Sequence, residues 1–191
     1  MPLVRLETRD FVDVAARARE LSCRAPLRLA LLPGNFATAA SAAELRYHKA
    51  APEVRSAWRR IGLIDEGPAV TGGDMTQLSS IGIVSQALEA DTDCDSANVP
   101  LVAFFGRELR TGPTRLVTYA LGAVASALFA HTGEAGASEI RFDAIVERPG
   151  RGGYACIEYR GDACELVKLA GAVREILTGN PILGADGADS E

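Results

Sequence analysis

TRLVTYALGAVASALFAHT, residues Thr114 to Thr132, is the stretch around which the rest of the chain has to pack. Between Arg115 and His131 the only ionisable group is the phenol of Tyr119, and Leu116, Val117, Leu121, Val124, Leu128 and Phe129 leave no polar side on a helical wheel. A helix of that kind is expected inside the protein. Its alanine content and its Thr118 and Ser126 make it short and weakly apolar for a bilayer span, so the reading is a core helix and no membrane association. Gly122, Ala123, Ser126 and Ala127 are small enough to let a sheet or a second helix come close.

C-terminal to this helix, Glu139 to Glu147 (EIRFDAIVE) and Tyr154 to Arg160 (YACIEYR) flank a run of Pro149, Gly150, Arg151, Gly152 and Gly153, which predicts a β-hairpin. Ile140, Phe142, Ala144 and Val146 share one face, able to lie on the helix, while Arg141, Asp143 and Glu147 share the other. Asp162 with Glu165 then caps a last amphipathic helix whose buried stripe is Leu166, Val167, Leu169, Ala170, Val173, Ile176 and Leu177, ended by Gly179 and Pro181. Residues 181–191 are expected to be a disordered tail, leaving residues 1–180 as a single domain.

On the N-terminal side, Leu3 to Thr8 alternates like a half-buried strand, and Phe11, Val14, Ala15, Ala18 and Leu21 recur at helical spacing behind a cap at Thr8 or Asp10. Leu27 to Leu32 is a more buried apolar run, so the three pieces read as β-α-β with room for a right-handed parallel crossover. Pro33, Gly34 and Asn35 suggest a type II turn with a positive φ. A strand running into a glycine turn can place ligands, but neither GxGxxG nor GxxxxGK[ST] is present, so a plain turn is the favoured reading. Ser41 to Ile61 reads as helical, with capping-box spacing from Ser41 to Glu44 and a second helix opening at Pro52 and Glu53 and stopping at Gly62. Its apolar stripe is Val54, Ala57, Trp58 and Ile61. That leaves Arg55 and Arg59 one turn apart, with Arg46, His48, Lys49 and Arg60 nearby.

The middle of the chain is ambiguous between helix, through Leu78, Ile81, Val84 and Leu88, and strand, with helix preferred. Asp91, Asp93 and Asp95 have the spacing of a calcium loop, yet Ser96 stands where the loop needs glycine and Val102 where it needs glutamate; an acidic solvent loop is the better reading. Val99 to Phe105 is apolar, with Pro100 suggesting an edge strand.

At 191 residues and a net charge of −5, the chain can bury its own core, and its acidity argues against a general nucleic-acid coat. Cys23, Cys94, Cys156 and Cys164 have no CxxC spacing, and MPLVRLETRD lacks an apolar signal region, which predicts a reducing, cytoplasmic setting. With two histidines and scattered cysteines, no metal and no cofactor is expected. His131, at the end of the central helix, suits the helix dipole. Cys164, in the first turn of a helix, is the best candidate thiol nucleophile, although a small buried thiol is its more ordinary role.

Leu31-Leu32-Pro33-Gly34-Asn35-Phe36, Ala51-Pro52-Glu53-Val54-Arg55 running to Trp58-Arg59, and Gly112-Pro113-Thr114 are similar to landmarks of small uncharacterised bacterial α/β proteins. The closing helix, hairpin and helix resembles effector-associated adaptor domains beside proteases and NTPases of bacterial conflict systems, from which the long first half departs. That resemblance implies a partner-binding accessory role in defence or signalling and carries over no catalytic residue. The expectation is therefore an α/β domain, with α+β as the alternative, built on a mixed sheet of four or five strands. Its leading function is a non-enzymatic adaptor that docks another protein, such as an effector protease or NTPase, on Arg46, Lys49, Arg55, Arg59 and Arg60. Homo-oligomer formation stays open. The alternative is a small hydrolase-like enzyme at the end of the second strand, using Asn35, His48 and Cys164.

Overall fold

The computed structural model describes residues 5–68, 99–113, 115–132, 140–150 and 153–179. The helix proposed through Leu78 to Leu88, the acidic loop of Asp91, Asp93 and Asp95, the thiol of Cys94 and the tail 181–191 lie outside the described residues.

The elements are strand β1 (Arg5–Phe11), helix α1 (Val14–Glu20), strand β2 (Leu29–Leu32), helix α2 (Ala51–Arg60), strand β3 (Leu101–Phe105), helix α3 (Leu116–Thr132), strands β4 (Ile140–Glu147) and β5 (Tyr154–Gly161), and helix α4 (Leu169–Thr178). The five strands form one mixed sheet in the order β1-β5-β4-β3-β2. Only β3 and β4 are parallel, and α3 connects them; the other neighbours are antiparallel. This is the α/β fold with a mixed sheet, a central helix and a C-terminal hairpin followed by a helix.

The first β-α-β expectation fails on topology. β1 and β2 are both present but occupy opposite edges, because β1 pairs with β5, with Arg9 opposite Cys156, and α1 between them packs on the second face of the sheet. β1 is also exposed on both faces up to Asp10, where alternation suggests a half-buried strand. α1 is capped by Asp13, whose carboxylate accepts the Ala16 N–H at 2.8 Å, and not by Thr8 or Asp10, which fall inside the strand. Pro100 stands just before β3 and costs it no ladder bond, so β3 is a fully buried inner strand and not an edge. The positive φ expected at Gly34 or Asn35 is absent; Gly34 is needed instead for close approach, since a Cβ there would lie 2.3 Å from the Val99 side chain. Ser41 makes no cap bond. Residues Ala42–Glu44 form a single 3-10 turn, and Glu44 reaches back to the Ala40 N–H at 3.0 Å.

Alternate residues of the strands feed two apolar cores. On the first face Leu29, Leu31, Ala103, Phe105, Phe142, Ala144, Val146 and Ile157 pack under α2, α3 and α4. Trp58, fully buried, donates its indole N–H to the Ala120 carbonyl at 3.0 Å and so ties α2 to α3. On the second face Ala30, Leu32, Val102, Phe104 and Ile145 pack under α1 and the segment holding Phe36 and Ala39. Helix α3 is buried along Val117, Leu121, Val124 and Leu128, but Tyr119 and Phe129 are half exposed. An apolar wheel hid this, because within the helix Ser126 is the one small polar residue at an exposed position on that side. Among the described residues no helix is long and apolar enough to cross a membrane.

Candidate functional site

The basic residues around α2 divide into two kinds. Arg55 donates Nε–H to Asp65 Oδ2 at 2.7 Å and lays its guanidinium over the Tyr47 ring, 4.5 Å from the centroid. The other oxygen of Asp65 accepts the N–H of Leu31 and of Gly67, at 2.8 and 2.9 Å. Glu66 accepts from Leu27 and Arg28, and its own N–H goes to the Leu29 carbonyl. The segment after α2 therefore seals the outer edge of β2, and Arg55 holds the seal in place. Burial pushes the Tyr47 phenol up to about 12 against the opposing charge of Arg55, so it stays neutral under the guanidinium.

Arg46, Lys49, Arg59 and Arg60 are exposed. Arg59 and Arg60 end α2, where cations suit the helix dipole. Beside them Ile61 and Ile64 are 50% and 79% exposed, although the helical stripe places Ile61 inside. The chain leaves the helix at Gly62, in the left-handed region at φ 78°, and that turn swings Ile61 and Ile64 outward. The depression below, lined by Leu29, Leu63, Leu109 and Leu116 among others, holds about 140 Å³, less than a small-molecule pocket needs.

Of the residues of the enzyme alternative, Asn35 and His48 hydrogen-bond to neighbouring backbone and Cys164 lies elsewhere in the fold. Asn35 donates from Nδ2 to the Glu44 carbonyl at 2.7 Å and accepts the Arg46 N–H on Oδ1 at 2.8 Å, which pins the 35–46 loop. The Gly34 N–H goes to the Arg46 carbonyl, so this amide and the Asn35 side chain are already engaged within the fold. His48 accepts the Ala50 N–H on Nδ1 at 3.0 Å, at the start of α2. Cys164 lies beyond β5, three strands away from β2 or on the order of 14 Å. Its thiol is exposed, and Asp162 raises its pKa, through a hydrogen bond first and charge second, the wrong direction for a nucleophile.

A third group of residues lies on the second face of the sheet, where α1 and the 35–46 loop leave off. Asp143 is 95% buried, being 5% exposed, and its Oδ1 has no hydrogen-bond partner. Its carboxylate, the Cys156 thiol and the Glu158 carboxylate come within 4.8 Å of one another. Strand register builds the cluster: Val102, Asp143 and Glu158 lie in one cross-strand row, and Cys156 sits in the next row opposite Arg9. Arg9 donates to Glu158 Oε1 at 2.6 Å, and that bond holds the Glu158 pKa below the usual carboxylate range. Desolvation pushes Asp143 up, with Arg141 opposing, and pushes Cys156 up to about 12, with the nearby Asp143 adding to it.

No family model, curated protein or solved structure matches the chain. What the molecule can do is therefore read from its own geometry. Sequence reasoning singled out the α2 cations but missed the cluster on β4 and β5. The one available signal was Asp143, a carboxylate between Phe142 and Ala144 in an apolar strand, opposite a second strand whose Cys156 and Glu158 occupy the same face.

Proposed function

We propose that the chain is a non-enzymatic interaction module that docks an acidic partner protein on the end of α2, as an accessory component of a bacterial defence or signalling system in the cytoplasm. The observation that carries this reading is the pairing of Ile61 and Ile64, both exposed, with Arg59 and Arg60, both exposed, over a depression too small for a ligand. An apolar centre with arginine around it is the usual anatomy of a protein interface, and it complements a partner segment of acidic and apolar residues. Arg46 and Lys49 are exposed on the loop before the helix, about 15 Å from its basic end, and would be reached only by a partner that runs along α2. Arg55 belongs to the fold beneath this surface, as the support of Asp65. No specific observation favours a hydrolase-like enzyme, since Asn35 already uses both ends of its amide.

The test is a pull-down from the native host at low and high salt, run with wild type, Arg59→Glu/Arg60→Glu and Ile64→Asp. Both variants alter exposed side chains and are expected to melt within a few degrees of wild type. The expected result is a salt-sensitive partner of acidic sequence that both variants lose. A partner set unchanged in both variants, with unchanged salt dependence, refutes docking at this surface.

A further inference from the structure

We propose that Asp143, Cys156 and Glu158 form a binding site for a divalent transition-metal ion of the zinc class. Two independent features meet here. Three side chains with ligand atoms come within 4.8 Å of one another, close to the separations that a single small cation imposes. Asp143, a member of this group, is also the one charged residue buried among the described residues, and its Oδ1 has no hydrogen-bond partner. A buried carboxylate oxygen with nothing to accept is costly, and a metal bond removes that cost.

The donor set selects the ion. A thiolate among two carboxylates is a poor match for calcium or magnesium, which take oxygen ligands only, and a good one for zinc or cobalt. Three protein ligands leave a fourth position of a tetrahedron for water or for an incoming group. The thiol proton of Cys156 leaves to solvent as the metal–sulfur bond forms. The charges then nearly balance: three anionic ligands and a dication leave one negative charge, beside which Arg9 already stands. Arg9 need not move, because it occupies Oε1 of Glu158 and leaves Oε2 as the ligand atom. Its bond orients that carboxylate as an outer-shell partner does in known metal sites. Arg141 and Arg160 lie in the adjoining row of the same face and favour the ionised carboxylates.

The test uses the full chain, stripped by chelator and titrated with cobalt(II). The expected result is a near-ultraviolet thiolate-to-cobalt absorption that saturates at one ion per chain and is displaced by zinc. Zinc should also raise the melting temperature, with magnesium and calcium inactive. Asp143→Asn, which keeps the shape of the side chain, and Cys156→Ala should each weaken binding by more than about tenfold, and Cys164→Ser should leave the band intact. If Cys156→Ala does not fold, Asp143→Asn and Glu158→Gln decide the matter by the same tenfold criterion. Absence of the band in folded wild type, its survival in Cys156→Ala or Asp143→Asn, or its loss in Cys164→Ser overturns the proposal.

Discussion

The two faces of the sheet are made from alternate residues of the same strands, and they are used differently. On the first face every inward position from Leu29 to Tyr159 is apolar and lies beneath a helix. On the second face the half formed by β2, β3 and Ile145 is equally apolar, whereas the half formed by β4, β5 and β1 carries Arg141, Asp143, Glu158, Arg160 and Arg9. Phe142 and Asp143 make the contrast within one peptide unit: both are buried, one among side chains that pack, the other with an unpaired oxygen. Packing explains the first. It does not explain the second, and residues that folding does not require are where function is to be sought.

The contrast is broken most violently from the first face. Leu121 is completely buried where α3 meets the sheet, so Leu121→Asp places a charge with no partner in the larger core and should cost more than about 4 kcal/mol. Loss of the cooperative melting transition is the expected readout, and an unchanged melting temperature would show α3 to be peripheral. Next in size is the seal on β2. Asp65→Ala strips the acceptor from the N–H of Leu31 and of Gly67 and removes the ion partner of Arg55, for an expected loss of about 2 to 3 kcal/mol by chemical denaturation. A loss below about 0.5 kcal/mol would show that edge to need no seal.

Alkali offers a smaller and graded attack on the same face. Burial raises both Tyr47 and Tyr159 to about 12, and both phenols pack into the helix-covered core, where Tyr159 donates its hydroxyl to the Asp162 carbonyl at 2.5 Å. A raised folded pKa means that the neutral phenol is favoured by folding. Stability is therefore full below about pH 10, the unfolded value, and falls as the pH rises through 12. Denaturation midpoints measured in that window should decline, and Tyr47→Phe should reduce the slope; an identical slope in the variant would show that Tyr47 does not contribute.

Much of this architecture was legible from periodicity. The hairpin could be read because Ile140, Phe142, Ala144 and Val146 alternate with Arg141, Asp143 and Glu147, and the turn between its strands is rich in glycine. The amphipathic stripe of α4 was equally plain in Leu169, Ala170, Val173 and Leu177, although the stretch expected to open that helix, Ala163–Lys168, is a 3-10 helix. Long-range pairing was not, since nothing local to Arg5–Phe11 says that its partner is β5, more than a hundred residues away. The α2 cations were visible as a charge cluster, but the division between Arg55 and its neighbours depends on Asp65 and Tyr47, which only the folded chain brings together. Asp143 was readable as the odd residue of its strand. Its burial was not, because alternation tells which face a side chain occupies and not how deeply that face is covered.

The comparison of Phe142 with Asp143 supplies the most direct measurement. In metal-free protein at neutral pH, Phe142→Ala should lose about 3 to 5 kcal/mol by chemical denaturation, as a truncated core aromatic does. Asp143→Asn should instead gain on the order of 1 kcal/mol, because it replaces a buried carboxyl group that burial disfavours in its ionised form by a neutral amide of the same shape. Opposite signs at adjacent residues would show that one face is built for packing and that the carboxylate on the other is kept at a cost to folding. A loss at Asp143→Asn comparable to that at Phe142→Ala would contradict this, and would make Asp143 a structural member of the core.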